Sequence, residues 1–116
     1  MRRILVVEDE FLLAAHIGSV LEDEGLEVVG PVGTLAEALK LARDEKLDGA
    51  LLDLNLDGGR VDDVAEILDR RHVPFIFVTG FGRDDLPPGF RESIIVSKPF
   101  NDKELLQQVH RLTEAG

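Results

Sequence analysis

Five short runs of branched apolar residues alternate along this chain with segments of helical periodicity, and few folds can absorb that pattern. The runs are Arg3–Val7, Glu27–Val32, Gly49–Leu52, Phe75–Val78 and Ile94–Ser97. Most lack in–out alternation, as strands do when helices cover both faces of a parallel sheet. The helical segments are Phe11–Glu24, closed by Gly25; Thr34–Arg43, opened by the capping pattern Thr34-x-x-Glu37; Val61–Arg71, ending before Pro74; and Asn101–Glu114, opened by Asn101-x-x-Glu104. A further helix is due between the fourth and fifth runs. Gly80–Arg91 instead carries Pro87-Pro88 and three glycines, which predicts a loop, or at most one turn near Asp84–Leu86.

Such alternation in 116 residues predicts a single α/β domain over residues 1–116. Its architecture would be a doubly wound, five-stranded parallel sheet, order 2-1-3-4-5, in a three-layer sandwich whose fourth helix is short or missing. With no Trp or Tyr the core must be aliphatic, and with no Cys there can be no disulfide, thiolate metal site or cysteine nucleophile. The net charge of −10, with basic pairs only at Arg2-Arg3 and Arg70-Arg71, argues against nucleic acid or an anionic membrane surface as partner. No apolar run approaches the ~18 residues of a membrane span, and no export signal is visible, so the expected location is cytoplasmic.

Sheets of this kind place function at the carboxyl ends of their strands, where the strand order reverses. The first strand runs into Glu8-Asp9-Glu10, the third into Asp53, the fourth into Thr79-Gly80 and the fifth into Lys98-Pro99. One edge therefore gathers carboxylates, a hydroxyl and an ammonium. Crowded carboxylates either hold protons or bind a cation, and an all-oxygen set suits a hard cation, Mg²⁺ above softer metals. A metal, a fixed cation and a hydroxyl donor around a carboxylate nucleophile are the parts of phosphoryl transfer. Each residue alone reads more simply, as a turn, a cap or a surface lysine; the matching chemistry on all four strand ends carries the reading. His16, His72 and His110 are scattered along the chain and are expected at the surface with no chemical role.

The set Glu8-Asp9, Asp53 followed by Leu54-Asn55-Leu56-Asp57-Gly58, Thr79-Gly80 and Lys98-Pro99-Phe100 resembles a response-regulator receiver domain, a CheY-like relative of the flavodoxin fold, over the whole chain. The resemblance implies that Asp53 accepts a phosphoryl group from a sensor histidine kinase or a histidine phosphotransfer protein. It implies Mg²⁺ held by Asp9 and Asp53, with Glu8 acting through water and Asn55 through its backbone carbonyl. Lys98 would bind a phosphoryl oxygen, its bond to Pro99 would be cis, and Thr79 would move to the phosphoryl group. Such a domain regulates a downstream protein and is not an enzyme beyond its own phosphorylation and dephosphorylation. Since the chain ends with the last helical segment, a stand-alone regulator or relay is expected. A never-phosphorylated interaction module is the alternative, which the intact acid cluster opposes. A flavodoxin-like redox protein would need a phosphate-cradling loop after the first strand, where Glu8-Asp9-Glu10 would repel the phosphate.

The chain departs from the commonest receiver pattern at two places. Ile95 stands where most receivers carry an aromatic switch residue on the fifth strand. Phe77-Val78-Thr79-Gly80-Phe81 is similar to a receiver subgroup with a Phe-Ala-Thr-Gly motif, which also tends to lack a regular fourth helix. The expected switch is therefore Thr79 with Phe81, Phe81 repacking as Thr79 moves; a plain core role for Phe81 is the competing reading. On the first helix, Leu13, Ala14, Ile17, Val20 and Leu21 should face the sheet. Phe11, Leu12, Ala15 and Gly18 fall off that arc and, with Pro99 and Phe100, form the expected docking face for the phosphodonor protein.

Overall fold

The computed structural model describes residues 1–114. Its central sheet holds five parallel strands: β1 (Arg3–Val7), β2 (Glu27–Val32), β3 (Gly49–Leu52), β6 (Phe75–Thr79) and β7 (Ile95–Ser97), in the order β2-β1-β3-β6-β7. This is the predicted 2-1-3-4-5 order. Two further strands, β4 (Asn55–Leu56) and β5 (Gly59–Arg60), form a small antiparallel hairpin of their own. The helices are α1 (Phe11–Asp23), α2 (Leu35–Asp44), α3 (Asp62–Arg70) and α4 (Asp102–Glu114).

Both faces of each inner strand are apolar, and each face belongs to a different helix pair. Ile4 and Val6 of β1 join Leu51, Ile76 and Val96 beneath Ile17 and Leu21 of α1 and Leu105 and Val109 of α4. Leu5 and Val7 join Ala50, Leu52 and Phe77 beneath Ala38 and Ala42 of α2 and Val64 and Leu68 of α3. That division explains the unalternating runs in the sequence. The small residues Ala38, Ala42 and Ala65 let α2 and α3 approach each other closely.

Two caps behave as their sequence patterns predict. The Thr34 hydroxyl accepts from the Glu37 amide at 3.2 Å and donates to the Glu37 carboxylate at 2.8 Å. Asn101 Oδ1 accepts from the Glu104 amide at 2.8 Å.

Between β6 and β7 no α-helix forms. The segment makes one 3₁₀ turn, Arg83–Asp85, and drops the buried Leu86 onto Phe77 and its neighbours. Phe90 stacks edge-on against Phe75 at 5.5 Å, so this loop covers the face that a fourth helix would otherwise cover.

Gly18 corrects the sequence reading. It is buried rather than part of an exposed face, because Pro31 of β2 lies beside it. A Cβ at position 18 would lie 3.9 Å from Pro31 Cγ. Helical phase counts only the angle around α1; it omits the neighbouring strand that lies against that side. Among the described residues, no helix is long and apolar enough to cross a membrane.

Candidate functional site

The register of the parallel strands brings four carboxyl ends to one edge. Val7 pairs with Leu52, Leu52 with Phe77, and Thr79 with Ser97. The residue following each strand end then hangs over the same rim. The Glu8 amide donates to Val32, the Asp53 amide to Val7 and the Lys98 amide to Thr79, all at 2.8–2.9 Å, so backbone bonds set the direction of these side chains. The Lys98–Pro99 peptide is cis.

Carboxylate oxygens of Glu8, Asp9 and Asp53 lie within 4.8 Å of one another. Glu8 and Asp53 are buried and Asp9 is exposed, so the cluster has a closed floor and an open side. Lys98 closes the floor: its Nζ stands 2.7 Å from Glu8 Oε1 and 3.5 Å from Asp53 Oδ2. Asp53 Oδ1 also accepts from the Leu54 amide at 2.8 Å. Burial and then the neighbouring Glu8 push the Asp53 carboxyl up to about 7, and Lys98 offsets them only in part. For Lys98 burial acts downward, but Glu8 and Asp53 together outweigh it and hold the ammonium above its ordinary value.

Carboxylates crowded this closely repel one another and favour a cation that offsets their charge. The donors are all oxygen, one side is open to water, and no His or Cys contributes. This set fits a hard divalent ion that keeps part of its hydration shell.

Thr79 ends β6, fully buried, and its hydroxyl accepts from the Phe81 amide at 3.0 Å. Phe81 itself is 56% exposed, which removes the reading of it as a core residue. Asn55 opens β4, two residues beyond Asp53, with its side chain exposed. Ile95, in the expected aromatic position, is half-buried against the α2–α3 core.

Around this rim α1 presents Phe11 and Leu12, 80% and 77% exposed, with Ala15 also exposed. A groove of about 260 Å³ lined by Phe11, Ala14, Ala15, Pro31 and Gly33 ends at Glu8 and Asp9. A second, of about 340 Å³, runs on the other side of α1 past Leu13, His16, Pro99 and Phe100 to Lys98. Pro99 is exposed and Phe100 half-buried against the α1–α4 core. Sequence reasoning missed the hairpin around Asp57-Gly58-Gly59, although Asp-Gly between short apolar stretches is a turn signal. It also missed two histidine–carboxylate contacts between α4 and α1 or its C-terminal cap, His16–Asp102 at 2.7 Å and Glu24–His110 at 3.1 Å, for which no local spacing exists.

A family model for the response regulator receiver domain matches residues 4–110. The chain belongs to that receiver family. The transcriptional regulatory protein PdtaR of Mycobacterium tuberculosis is 32% identical over 114 residues, an overlap of 93% of this chain and 55% of PdtaR. The chain thus spans about half the length of the curated relatives it matches. Among solved structures, SdrG of Sphingomonas melonis is 38% identical with a TM-score of 0.83, the match covering 97% of this chain and 96% of SdrG. The receiver domain of a sensor histidine kinase from Pseudomonas aeruginosa is 25% identical with a TM-score of 0.80, covering 97% and 98%; its structure has a magnesium ion coordinated in the active-site cleft. Receiver domains of two-component response regulators are regulatory modules, and this chain is one of them.

Proposed function

We propose that this receiver takes a phosphoryl group on Asp53 from a histidine kinase or a histidine phosphotransfer protein, with Mg²⁺ as cofactor, and then signals to a downstream protein or passes the group on. The observation that carries the reading is the Lys98 ammonium held between a buried Glu8 and Asp53 at the rim of an open oxygen cluster. Asp9, Asp53 and the Asn55 backbone carbonyl would hold the metal, with Glu8 acting through water. Bound there, the metal neutralises charge on the transferring phosphoryl oxygens.

The chain's own residues do the rest. An Asp53 Oδ attacks phosphorus as the P–N bond to the donor imidazole breaks, and the imidazole keeps the electron pair and takes a proton from water. Lys98 shifts toward a phosphoryl oxygen as its ion pair with Asp53 is lost. Thr79 turns its hydroxyl proton to another oxygen, and Phe81, whose amide that hydroxyl holds, moves with it. The exposed Phe11, Leu12 and Ala15, with Pro99 and Phe100, receive the donor's helices.

The deciding experiment is intact mass after incubation with acetyl phosphate, with and without Mg²⁺. A metal-dependent gain of one phosphoryl group that Asp53→Asn abolishes is the expected result. No gain in any condition would replace this reading with that of a non-phosphorylated interaction module.

A further inference from the structure

The hairpin that follows Asp53 is tied on both sides to segments flanking the site. Asn55 pairs with Arg60 and Leu56 with Gly59 across it, with Gly58 and Gly59 at φ 98° and 146° making the turn. At its tip the Asp57 amide donates to the Gly33 carbonyl at 3.1 Å, and the Asp57 carbonyl accepts from the Leu35 amide at 2.8 Å. Gly33 in turn lies directly under Asp9.

The other tie is Arg60. Its Nε donates to Asp62 Oδ1 at 3.0 Å and its Nη2 to the Asp85 carbonyl at 2.9 Å. Among the described residues, the latter is the hydrogen bond that joins the hairpin to the segment between β6 and β7. Its acceptor ends the 3₁₀ turn Arg83–Asp85, which holds itself by the Asp85 amide on the Gly82 carbonyl at 3.0 Å and the Leu86 amide on the Arg83 carbonyl at 3.2 Å. The first residue of the turn is pinned within the loop, by Arg83 Nη1 on the Arg91 and Ser93 carbonyls at 2.7 Å each.

We propose that Arg60 is a positioning residue that couples occupancy of the acidic cluster to the 83–86 turn through the hairpin. The inference rests on the reading of Asn55 as a backbone ligand beside Asp53. Drawing the Asn55 carbonyl toward an ion moves its cross-strand partner Arg60, and a hydrogen bond weakens steeply with small changes in angle and distance. Residues 83–85 are exposed while Leu86 is anchored in the core, so the Arg60 bond bears on the Asp85 end of the turn, whose backbone it holds from outside the loop. This path differs from the one through Thr79 and Phe81, because an ion alone, without a phosphoryl group, exercises it.

The test is a Mg²⁺ titration of the whole chain followed by amide chemical shifts and hydrogen exchange, in wild type, Arg60→Ala and Arg60→Lys. In wild type the Asp9 and Leu54 amides shift with Mg²⁺, and exchange at Asp85 and Leu86 changes several-fold. Arg60→Ala keeps the shifts at Asp9 and Leu54 and loses the response at Asp85 and Leu86. Arg60→Lys, with one donor long enough to reach the Asp85 carbonyl, restores part of it, which a merely structural role would not predict. An undiminished turn response in Arg60→Ala, or a silent turn in wild type that binds Mg²⁺, overturns the coupling and leaves the proposed function standing. No shift at Asp9 or Leu54 in any variant overturns both.

Discussion

The Lys98 ammonium sits 2.7 Å from Glu8 Oε1, a buried carboxylate oxygen with no other donor among the described residues. Lys98 is therefore part of the floor of the cluster before it is anything else. An ion pair of this kind contributes little net stability as a pair, but removing one member strands the other. Lys98→Met is expected to destabilise the metal-free protein by about 2 kcal/mol at pH 8, less than a fully buried pair would cost because Lys98 is partly exposed. Millimolar Mg²⁺ should recover much of the loss by replacing the missing positive charge. Urea unfolding with and without Mg²⁺ measures both; a variant as stable as wild type in EDTA would show that Glu8 has another partner.

Asp53 makes stability depend on pH with a definite sign. Its carboxyl is pushed up to about 7 in the folded chain from 3.8 in the unfolded one, so the native state binds more protons between those values. Stability is then lost as pH rises through that window. Asp53→Asn removes the titration. It should match wild type below pH 4 and gain progressively up to pH 7, by on the order of 1 kcal/mol or about 4 °C in Tm, well under the ~4 kcal/mol of an unscreened shift because water reaches part of the carboxyl. Mg²⁺ should erase the difference, because it stabilises only the protein that binds it. A melting series in EDTA from pH 4 to 8 tests this, and a gap that stays constant with pH contradicts it.

What could be read from sequence depended on how local its cause was. Arg3–Val7, Glu27–Val32 and Gly49–Leu52 are strands over the very residues expected, because each is a branched apolar run ended by a turn or charged residue. Pro87 and Pro88 forbade a regular helix in their segment. The acid cluster was legible because strand order brings Glu8, Asp9 and Asp53 together before any side chain is placed. Of the hairpin only the turn was legible, in Asp57-Gly58, since two-residue strands are too short to show a period. Gly18 was misplaced because helical phase does not see Pro31. Arg60 and Arg83 act on backbone carbonyls 25 and 8 to 10 residues away, contacts that leave no trace in residue spacing.

Phe11 and Leu12 stand 80% and 77% exposed next to a groove that ends at the acid cluster. A surface aromatic in that position contributes little to folding and much to association. Phe11→Ala should leave Tm within about 2 °C of wild type, as surface changes usually do. It should also leave phosphorylation by acetyl phosphate unchanged. Transfer from the cognate phosphodonor protein should slow by roughly tenfold or more, the scale of a lost anchor of about 2 kcal/mol. Equal slowing with both donors would place the effect in the chemistry and remove Phe11 from the docking face.

Gly33 offers a way to disturb the metal side of the site without touching a carboxylate. A Cβ there would come within 3.0 Å of Asp9 Cα and 3.1 Å of the Glu8 carbonyl oxygen, both backbone atoms, so the two segments must separate. Its neighbours on the other side are fixed, because the Gly33 carbonyl accepts from the Asp57 amide. The strain therefore falls on Asp9, the exposed and least constrained of the three acids. Gly33→Ala should weaken Mg²⁺ binding by about tenfold, as loss of support around a ligand does, and cost roughly 1 to 3 kcal/mol of stability, as overpacking does. Asp53 stays where Lys98 and the Leu54 amide hold it, so acetyl phosphate should still modify the variant at saturating Mg²⁺. Calorimetric titration with Mg²⁺ reads the first effect and intact mass the second. Unchanged affinity would mean that Asp9 moves freely with the glycine loop and takes no fixed part in holding the ion.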